Sequence, residues 1–356
     1  MKQQKTAIIR VLLAAVLFGA SAPLIKLVLD NVQPVQMASL LYLGSAAGLF
    51  FFVAIKRAIT GVSGKEADLA GRDIPWLFGA AVSGGVVAPV VLLTCLRIVP
   101  ASTASLLFNF EAAATALIAA AVFRESTGRR VWIAIVLITA ASVLLSVNTK
   151  ESYNFSLGAA GILAACGLWG LDNNLTRHIS SKDPVTIVMN KSIIAGTFTL
   201  ILSLVMGYAM PAMTDVLLSL IIGLCCYGIS IVFFVQAMRS MGAARTGAYF
   251  ALAPFIGAAL SFAVFREQPG MFFLISLPFL ILGAFILFGE KHSHLHTHYE
   301  TEHEHIHSHD DMHHNHRHSG SEYNTEHSHL HRHENLAHAH AHMPDIHHRH
   351  VHEDEK

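Results

Sequence analysis

Ten long apolar stretches dominate the first 291 residues of this 356-residue chain. A hydrocarbon core about 30 Å thick needs roughly 20 apolar residues in a helix, and each stretch reaches about that length. Short connections separate them, as expected where the backbone satisfies its hydrogen bonds inside helices. The sequence therefore predicts an all-α integral membrane protein of ten transmembrane helices embedded in a lipid bilayer. The predicted spans are approximately 8–29, 36–55, 75–96, 101–123, 130–147, 157–179, 185–208, 215–238, 242–265 and 269–289.

The composition excludes a water-soluble domain, because 53% of the residues are hydrophobic and only 13% are charged. The cysteines all lie inside apolar runs without the spacing of a metal site, and we interpret them as packing residues. They are Cys95, Cys166, Cys225 and Cys226.

The loops differ in their basic charge. If the N-terminus is cytoplasmic, the inner loops carry 14 Lys and Arg residues and the outer loops carry three. This bias follows the positive-inside rule, and an even number of helices returns the C-terminus to the same side. We therefore predict a multi-pass protein of the inner (plasma) membrane with both termini in the cytoplasm.

An internal repeat divides the apolar part of the chain. The pentapeptide AVFRE at 121–125 recurs at 263–267, an offset of 142, and LFG at 17–19 pairs with LWG at 168–170 at an offset of 151. Two five-helix copies are predicted at 1–150 and 151–291. Because five is odd, the second copy must be inverted in the membrane, which is an architecture of secondary transporters.

Several short motifs resemble the EamA-like unit of the drug/metabolite transporter superfamily. They are Arg97 to Ser102 (RIVPAS), a helix closing in Glu125, Trp169-Gly170, and Asn174 to Arg177. The resemblance implies ten helices with both ends inside, and uptake or export of metabolites without ATP hydrolysis. The family often places proline after an acidic residue in the fourth helix. Here Ala112 follows Glu111 whereas the second copy has Pro254, so we expect the first copy to bend less there.

Asp172 is the leading candidate for the transport pathway, because a charge inside a bilayer costs several kcal/mol and implies a cavity, a partner or a coupling ion. It belongs to a polar stripe at helical spacing that contains Trp169, Asp172, Asn173 and Thr176. The carboxylate could bind a cationic substrate or take up a proton. The alternative is a structural pair with Lys191 or Arg177.

Glu111 is a second intramembrane carboxylate, and we expect Lys26 or Lys191 as its partner. A proton-coupling role is one hypothesis for it. Asn109 lies on a polar stripe of the same helix, with Ser102 and Ser105.

Two further features have structural interpretations. Gly44 and Gly48 form a GxxxG pattern for close helix packing. Arg266 and Glu267, which close the second AVFRE, are interpreted as a helix-end anchor and local ion pair rather than as substrate ligands.

Histidine dominates residues 292–356, which hold 23 of the 24 histidines and few aliphatic residues. We expect this tail to be disordered when free and to bind Zn²⁺, Ni²⁺ or Co²⁺ through neutral imidazoles, releasing the metal near pH 6. The candidate ligands are His292, His294, His296, His298, His303, His305, His307, His309, His313, His314, His316 and His318.

These observations predict a secondary transporter that exports a small organic metabolite by alternating access, with a metal-binding regulatory tail. No Walker A motif is present, and neither an enzyme activity, a required cofactor nor a nucleic-acid partner is expected. A coupling proton and a homodimer are further expectations. The alternative functions are transport of a divalent metal or metal chelate, and metal sensing at the membrane.

Overall fold

The computed structural model describes most of the chain, with gaps at several loops and in the tail. The described residues are 2–60, 69–123, 129–146, 153–241, 243–288, 292–298, 301–307, 327–333 and 336–342. Within this part, residues up to 288 are helical apart from short connections.

The first repeat contains helices α1 to α8, and the second contains α9 to α15. The first set is α1 (Lys2–Gly19), α2 (Ser21–Leu29), α3 (Pro34–Thr60), α4 (Ile74–Ala80), α5 (Ala88–Leu96), α6 (Ala101–Leu107), α7 (Asn109–Ala121) and α8 (Arg129–Ser146). The second set is α9 (Tyr153–Ile179), α10 (Pro184–Val205), α11 (Met213–Ile222), α12 (Ser230–Met241), α13 (Ala243–Phe250), α14 (Ala253–Phe265) and α15 (Met271–Phe288). A 3₁₀ turn, Gly71–Asp73, precedes α4.

The helical part is built for a membrane. Among the described residues, seven helices or nearly continuous helix pairs are long and apolar enough to cross a bilayer. Large apolar side chains point outward, including Phe51, which is 62% exposed, and Val205, which is 78% exposed. Polar side chains such as Asn109 and Thr199 are buried instead. This arrangement matches a protein whose solvent is lipid, and the chain is a multi-pass membrane protein.

In the part of each repeat that the structure describes there is one π-helical turn, and the two turns occupy equivalent positions. The first π segment is Ala81–Val87, between α4 and α5, and the second is Gly223–Ile229, between α11 and α12. They are separated by 142 residues, which is the offset of the repeated AVFRE. A π turn inside an α-helix often marks a functional site, because its wider register changes which backbone groups and side chains face a neighbour.

A second shared feature is an interrupted helix in each repeat. The break between α6 and α7 is the single residue Phe108, without a proline, whereas the break between α13 and α14 is Ala251 and Leu252, followed by Pro254. Helices α6 and α13 begin 142 residues apart. Both copies are therefore interrupted at the same place, and the interruption is shorter in the copy that lacks the proline.

The two repeats exchange contacts across their interface. Helix α3 packs along α10, and α8 packs along α15. A Cβ atom at Gly19 would overlap the backbone of Ala253 on α14, and one at Gly170 would meet the backbone of Ala114 and Thr115 on α7. Each of these glycines therefore lets the first helix of one repeat approach the interrupted helix of the other.

The GxxxG glycines also lie at close approaches. A Cβ at Gly44 would overlap the backbone of Leu220 on α11, and one at Gly48 would meet the side chain of Leu224 in the second π segment. These contacts confirm the packing role that the sequence pattern predicts.

Four strands follow the helices: β1 (His292–His298), β2 (Thr301–His307), β3 (His327–His333) and β4 (Leu336–His342). Strand β1 pairs antiparallel with β4, and β2 pairs antiparallel with β3. The prediction of disorder throughout the tail is therefore wrong for these segments. Its basis was the lack of aliphatic residues, but alternation of histidine with other residues has the period of two that suits a paired strand.

Candidate functional site

A central cavity lies between the two repeats. The space open to the centres of water molecules is about 70 Å³, which is enough for several waters. The first repeat supplies four of its lining residues and the second supplies the others. They are Phe18, Tyr42, Gly84 and Glu111, and Trp169, Asp172, Asn173, Thr176, Val188, Lys191, Ser192, Tyr227, Ile231, Phe234, Val235, Met238 and Phe250.

The cavity extends toward one end of the helices. Its lining begins at Phe18, one residue before α1 ends, and at Trp169, inside α9. It reaches Thr176, three residues before α9 ends, and Val188, four residues after α10 begins. By the distribution of basic residues this end is the predicted cytoplasmic one. The cavity therefore lies in the inner half of the predicted membrane layer.

An ion pair crosses the cavity wall between α9 and α10. Lys191 Nζ lies 2.5 Å from Asp172 Oδ1 and 3.0 Å from Thr176 Oγ1, and the Thr176 hydroxyl donates to Asp172 Oδ1 at 2.8 Å. Both charged side chains are only 12% exposed. Opposite them, a Cβ at Gly84 would overlap the Asp172 carboxylate. The glycine therefore lets the first π segment approach the ion pair.

Glu111 is joined to α9 by an amide. Asn173 Nδ2 donates to Glu111 Oε1 at 2.8 Å and to Thr115 Oγ1 at 3.3 Å. Asn174 takes a different direction and donates to the backbone carbonyls of Thr115 at 3.0 Å and of Gly170 at 2.8 Å. The two consecutive asparagines therefore attach α9 to α7 on the side of the second carboxylate.

The backbone carbonyl of Gly84 collects two side-chain donors from different helices. Trp169 Nε1 donates to it at 3.1 Å and the Tyr42 hydroxyl donates at 3.0 Å. The carbonyl belongs to the first π segment, and these bonds fix the positions of the indole and phenol rings beside the cavity. Trp169 stands out in the sequence as part of the polar stripe, but this carbonyl does not, because a π turn is not visible in the residue pattern.

An aromatic cluster lines the end of the cavity that lies in the middle of the fold. The ring of Phe18 lies 5.8 Å from Trp169, 5.2 Å from Phe250, 6.1 Å from Tyr227 and 6.2 Å from Phe108, centroid to centroid. Phe18 and Trp169 are repeat counterparts at the offset of 151, and Phe108 and Phe250 are counterparts at 142. The cluster therefore straddles the boundary between the repeats, as expected for a pseudo-twofold arrangement.

Two predicted pathway residues do not join the lining. Lys26 Nζ donates to the carbonyl of Val99 at 2.5 Å, so its expected pairing with Glu111 is wrong. Lys26 lies in the last turn of α2, at the end of the fold away from the cavity. Asn109 Nδ2 donates to the carbonyl of Leu106 at 3.1 Å, across the break between α6 and α7. Its role in this structure is to satisfy the interrupted backbone.

The other predicted residues divide between the cavity and the tail. Asp172, Asn173, Trp169, Thr176, Glu111 and Lys191 all line the cavity. In the tail, His309, His313, His314, His316 and His318 lie outside the described residues. Among the described residues no group of three or more His, Cys, Asp or Glu side chains is placed to hold a metal ion.

A polar contact between the repeats has no signal in the sequence. The Glu267 carboxylate accepts hydrogen bonds from the backbone amides of Ala101 and Ser102, each at 3.0 Å. The neighbouring Arg266 has a left-handed backbone with φ 52° at the end of α14. Glu267 thus contacts α6 of the other repeat, where a local pair with Arg266 was expected.

The fold and the cavity define the class of protein: a multi-pass membrane protein in which a cavity with a buried ion pair lies between two tandem helical repeats, as in secondary transporters. The chain belongs to the EamA-like transporter family, whose pattern matches residues 5–147 and again residues 156–289. This match confirms the resemblance to the drug/metabolite transporter superfamily and identifies the protein as a transporter of that type.

Two individual proteins illustrate the relationship. The chain is 30% identical over 294 residues to an "Uncharacterized transporter" of Methanothermobacter thermautotrophicus, an alignment that covers 79% of this chain and 85% of that protein. A solved structure described as "Crystal structure of protein" is similar with a TM-score of 0.59 and 14% identity, covering 79% of this chain and 94% of that one. At that identity the second likeness shows the fold alone.

Proposed function

We propose that this protein is a secondary transporter that exports a small organic solute by alternating access, with the central cavity as the solute site. The observation that carries the proposal is the cavity itself, which is lined by both repeats and contains the Asp172–Lys191 ion pair. A buried charge pair beside a cavity is available to exchange its partner for a charged group of a solute, whereas a packed core offers no room for one.

The proposed membrane topology has ten spans in two inverted copies of five. Seven come from the long apolar helices, and the remaining three come from α9, from α13 with α14, and from α15. The bias of basic residues toward the predicted inner loops supports a plasma-membrane protein with both termini in the cytoplasm. Equivalent π segments and equivalent breaks in the two copies support a pseudo-twofold relation between them.

The chemistry of the lining favours an organic solute over a bare metal ion. Its described side chains include two carboxylates, one lysine, one amide and a set of aromatic rings, but no histidine or cysteine. Soft or borderline metal ions would be bound by those last two residue types. We propose a solute with a charged group beside an apolar part, and a coupling proton taken up at Asp172 or Glu111.

For the tail we propose divalent-metal binding on the cytoplasmic side, with a regulatory effect on transport. The strand registers support it: His292, His294 and His296 on β1 stand opposite histidines of β4, and His303, His305 and His307 on β2 stand opposite histidines of β3. Directly opposed residues of an antiparallel pair lie about 5 Å apart. Each opposed pair therefore consists of two histidines, the residue type that binds Zn²⁺, Ni²⁺ or Co²⁺.

The experiment is uptake into inverted membrane vesicles from a panel of labelled metabolites and of Zn²⁺, Ni²⁺ and Co²⁺. The full chain, its Asp172→Asn variant and a chain ending at Glu290 are compared. We expect at least one organic solute to accumulate with the full and shortened chains and not with Asp172→Asn. Accumulation of a metal alone, dependent on the tail, would instead establish the metal-transport alternative.

A further inference from the structure

Glu267 joins the second repeat to the start of α6 in the first. Helix α6 begins after Pro100, whose side chain provides no cap, so its first amides have no partner within the helix. The two carboxylate oxygens of Glu267 accept from the amides of Ala101 and Ser102. A carboxylate at this position supplies both hydrogen bonds and favourable charge at the positive end of the helix.

This contact lies at the end of the fold away from the cavity. Helix α6 packs along α14, which ends one residue before Arg266. The opposite halves of the same two interrupted helices, α7 and α13, form no comparable interface among the described residues. Instead Glu111 on α7 and Phe250 on α13 both line the cavity. The two interrupted helices therefore meet at one end and are separated by the cavity at the other.

The breaks give each half of these helices freedom to move. At Phe108, and at Ala251 with Leu252, the continuous α-helical run stops, so the halves on either side are not constrained to rotate as one rod. Phe108 and Phe250 pack against the same ring, Phe18, in the middle of the fold. The two interrupted helices, α6 with α7 and α13 with α14, can therefore stay packed at their centre while their two ends separate and close in turn.

We infer that Glu267 is the latch of the outer gate: its bonds to Ala101 and Ser102 hold α6 against α14 while the cavity is open toward the predicted cytoplasm. The inference rests on the proposed alternating access. When the gate opens, the carboxylate and both amides separate and are hydrated, since this end faces water in the proposed topology. Exchange with water makes the latch reversible, because a hydrogen bond made at the expense of water stabilises only modestly.

The contact differs from another described bond between the repeats at this end. Gln36 Nε2 donates to the carbonyl of Ala209 at 2.9 Å. Gln36 lies at the start of α3, which packs along α10 and is not interrupted. A loss of that bond leaves the α3–α10 interface in place, whereas the loss of Glu267 removes the bonds at the end of the α6–α14 contact. Gln36→Ala is therefore a matched control.

The test measures access from outside with a membrane-impermeant maleimide. The reporter is Ser105→Cys in a chain whose four native cysteines are replaced by alanine. Ser105 is 1% exposed, and a Cβ on Gly257 of α14 would contact its hydroxyl, so the reporter lies within the α6–α14 seam. With Glu267→Gln or Glu267→Ala we expect the labelling rate to rise about 5- to 30-fold, the population change that corresponds to loss of a helix cap. Gln36→Ala should leave the rate within about twofold.

Thermal melting of each purified variant in detergent verifies that it is folded. If Glu267→Ala does not fold, Glu267→Gln carries the test, because glutamine retains the shape of the side chain. Equal labelling of both Glu267 variants and the parent would overturn the latch, as would an equal rise with Gln36→Ala. These outcomes are independent of solute flux. A latch effect without any flux would overturn only the proposed function, and flux with unchanged labelling would overturn only the latch.

Discussion

Removing one partner of the Asp172–Lys191 pair should destabilise the protein strongly. In Asp172→Asn the ammonium of Lys191, whose side chain is 12% exposed, keeps the Thr176 hydroxyl at 3.0 Å but loses the carboxylate at 2.5 Å. Leaving a buried charge without its counter-charge costs roughly 3–5 kcal/mol. Because Lys191 lines a cavity with room for water, which would hydrate the ammonium in part, we expect the lower end, about 3 kcal/mol. At roughly 2–4 °C per kcal/mol, the melting midpoint falls by about 6–12 °C.

The assay is thermal unfolding of the purified chain in a mild detergent, with a double variant to isolate the charge. Adding Lys191→Met to Asp172→Asn removes the unpaired cation, so the double variant should recover most of the lost stability. Asp215→Asn, which removes a carboxylate from the first turn of α11, is the matched control and should change the midpoint by about 1–2 °C at most. A double variant as unstable as Asp172→Asn would refute the reasoning, because the loss could not then come from the unpaired lysine.

Three further predictions follow from single contacts. Gly84→Ala places a Cβ against the Asp172 carboxylate and should lower the free energy of unfolding by about 1–3 kcal/mol. The control Gly167→Ala, whose Cβ meets open space inside α9, should raise it by about 0.5–1 kcal/mol. Equal melting midpoints of the two variants would contradict the proposed contact. Trp169→Phe keeps an aromatic ring but loses the indole N–H that donates to the Gly84 carbonyl at 3.1 Å. The free energy of unfolding should fall by about 1 kcal/mol in the same melting assay. An unchanged midpoint would show that the bond is replaceable. A chain ending at Glu290 should melt like the full chain without metal yet bind no Ni²⁺ by calorimetry. The full chain should bind Ni²⁺ at pH 7.5 and release it near pH 6 as its imidazoles are protonated. Ni²⁺ binding by the shortened chain would place the metal site elsewhere.

The apolar lengths and the internal offsets were sufficient to predict a membrane fold of two copies. An offset between copies also locates structural features that share no obvious motif. The two π segments differ at every position, yet both follow the offset of 142 that AVFRE defines. Copies that fold alike keep such breaks in register even where their side chains diverge, because the register of the backbone decides how the helices pack.

The partners of individual side chains could not be predicted in the same way. Periodicity places Asp172 and Thr176 on one face of a helix but leaves Lys191 and Arg177 as alternative partners of the carboxylate. The structure pairs it with Lys191. For Glu111 the nearest polar group is the amide of Asn173, on the neighbouring helix α9, rather than a lysine.

Glu267 shows a second limit of sequence patterns. Its position after Arg266 suggested a local pair, but a carboxylate near a loop can reach any unsatisfied amide that the fold brings close. The amides of Ala101 and Ser102 are 165 or more residues away in the chain. Only the folded arrangement of α6 against α14 places them together.

The central claim is that one cavity is reached from both sides of the membrane in turn. Ser192 lines that cavity, so Ser192→Cys in the cysteine-free chain reports its access, with impermeant maleimide applied to intact cells or to inverted vesicles. We expect labelling from both sides, faster from the cytoplasmic side, and no leak of ions through the membrane. Labelling from the cytoplasmic side alone would contradict alternating access, and labelling from both sides together with an ion leak would indicate an open pore.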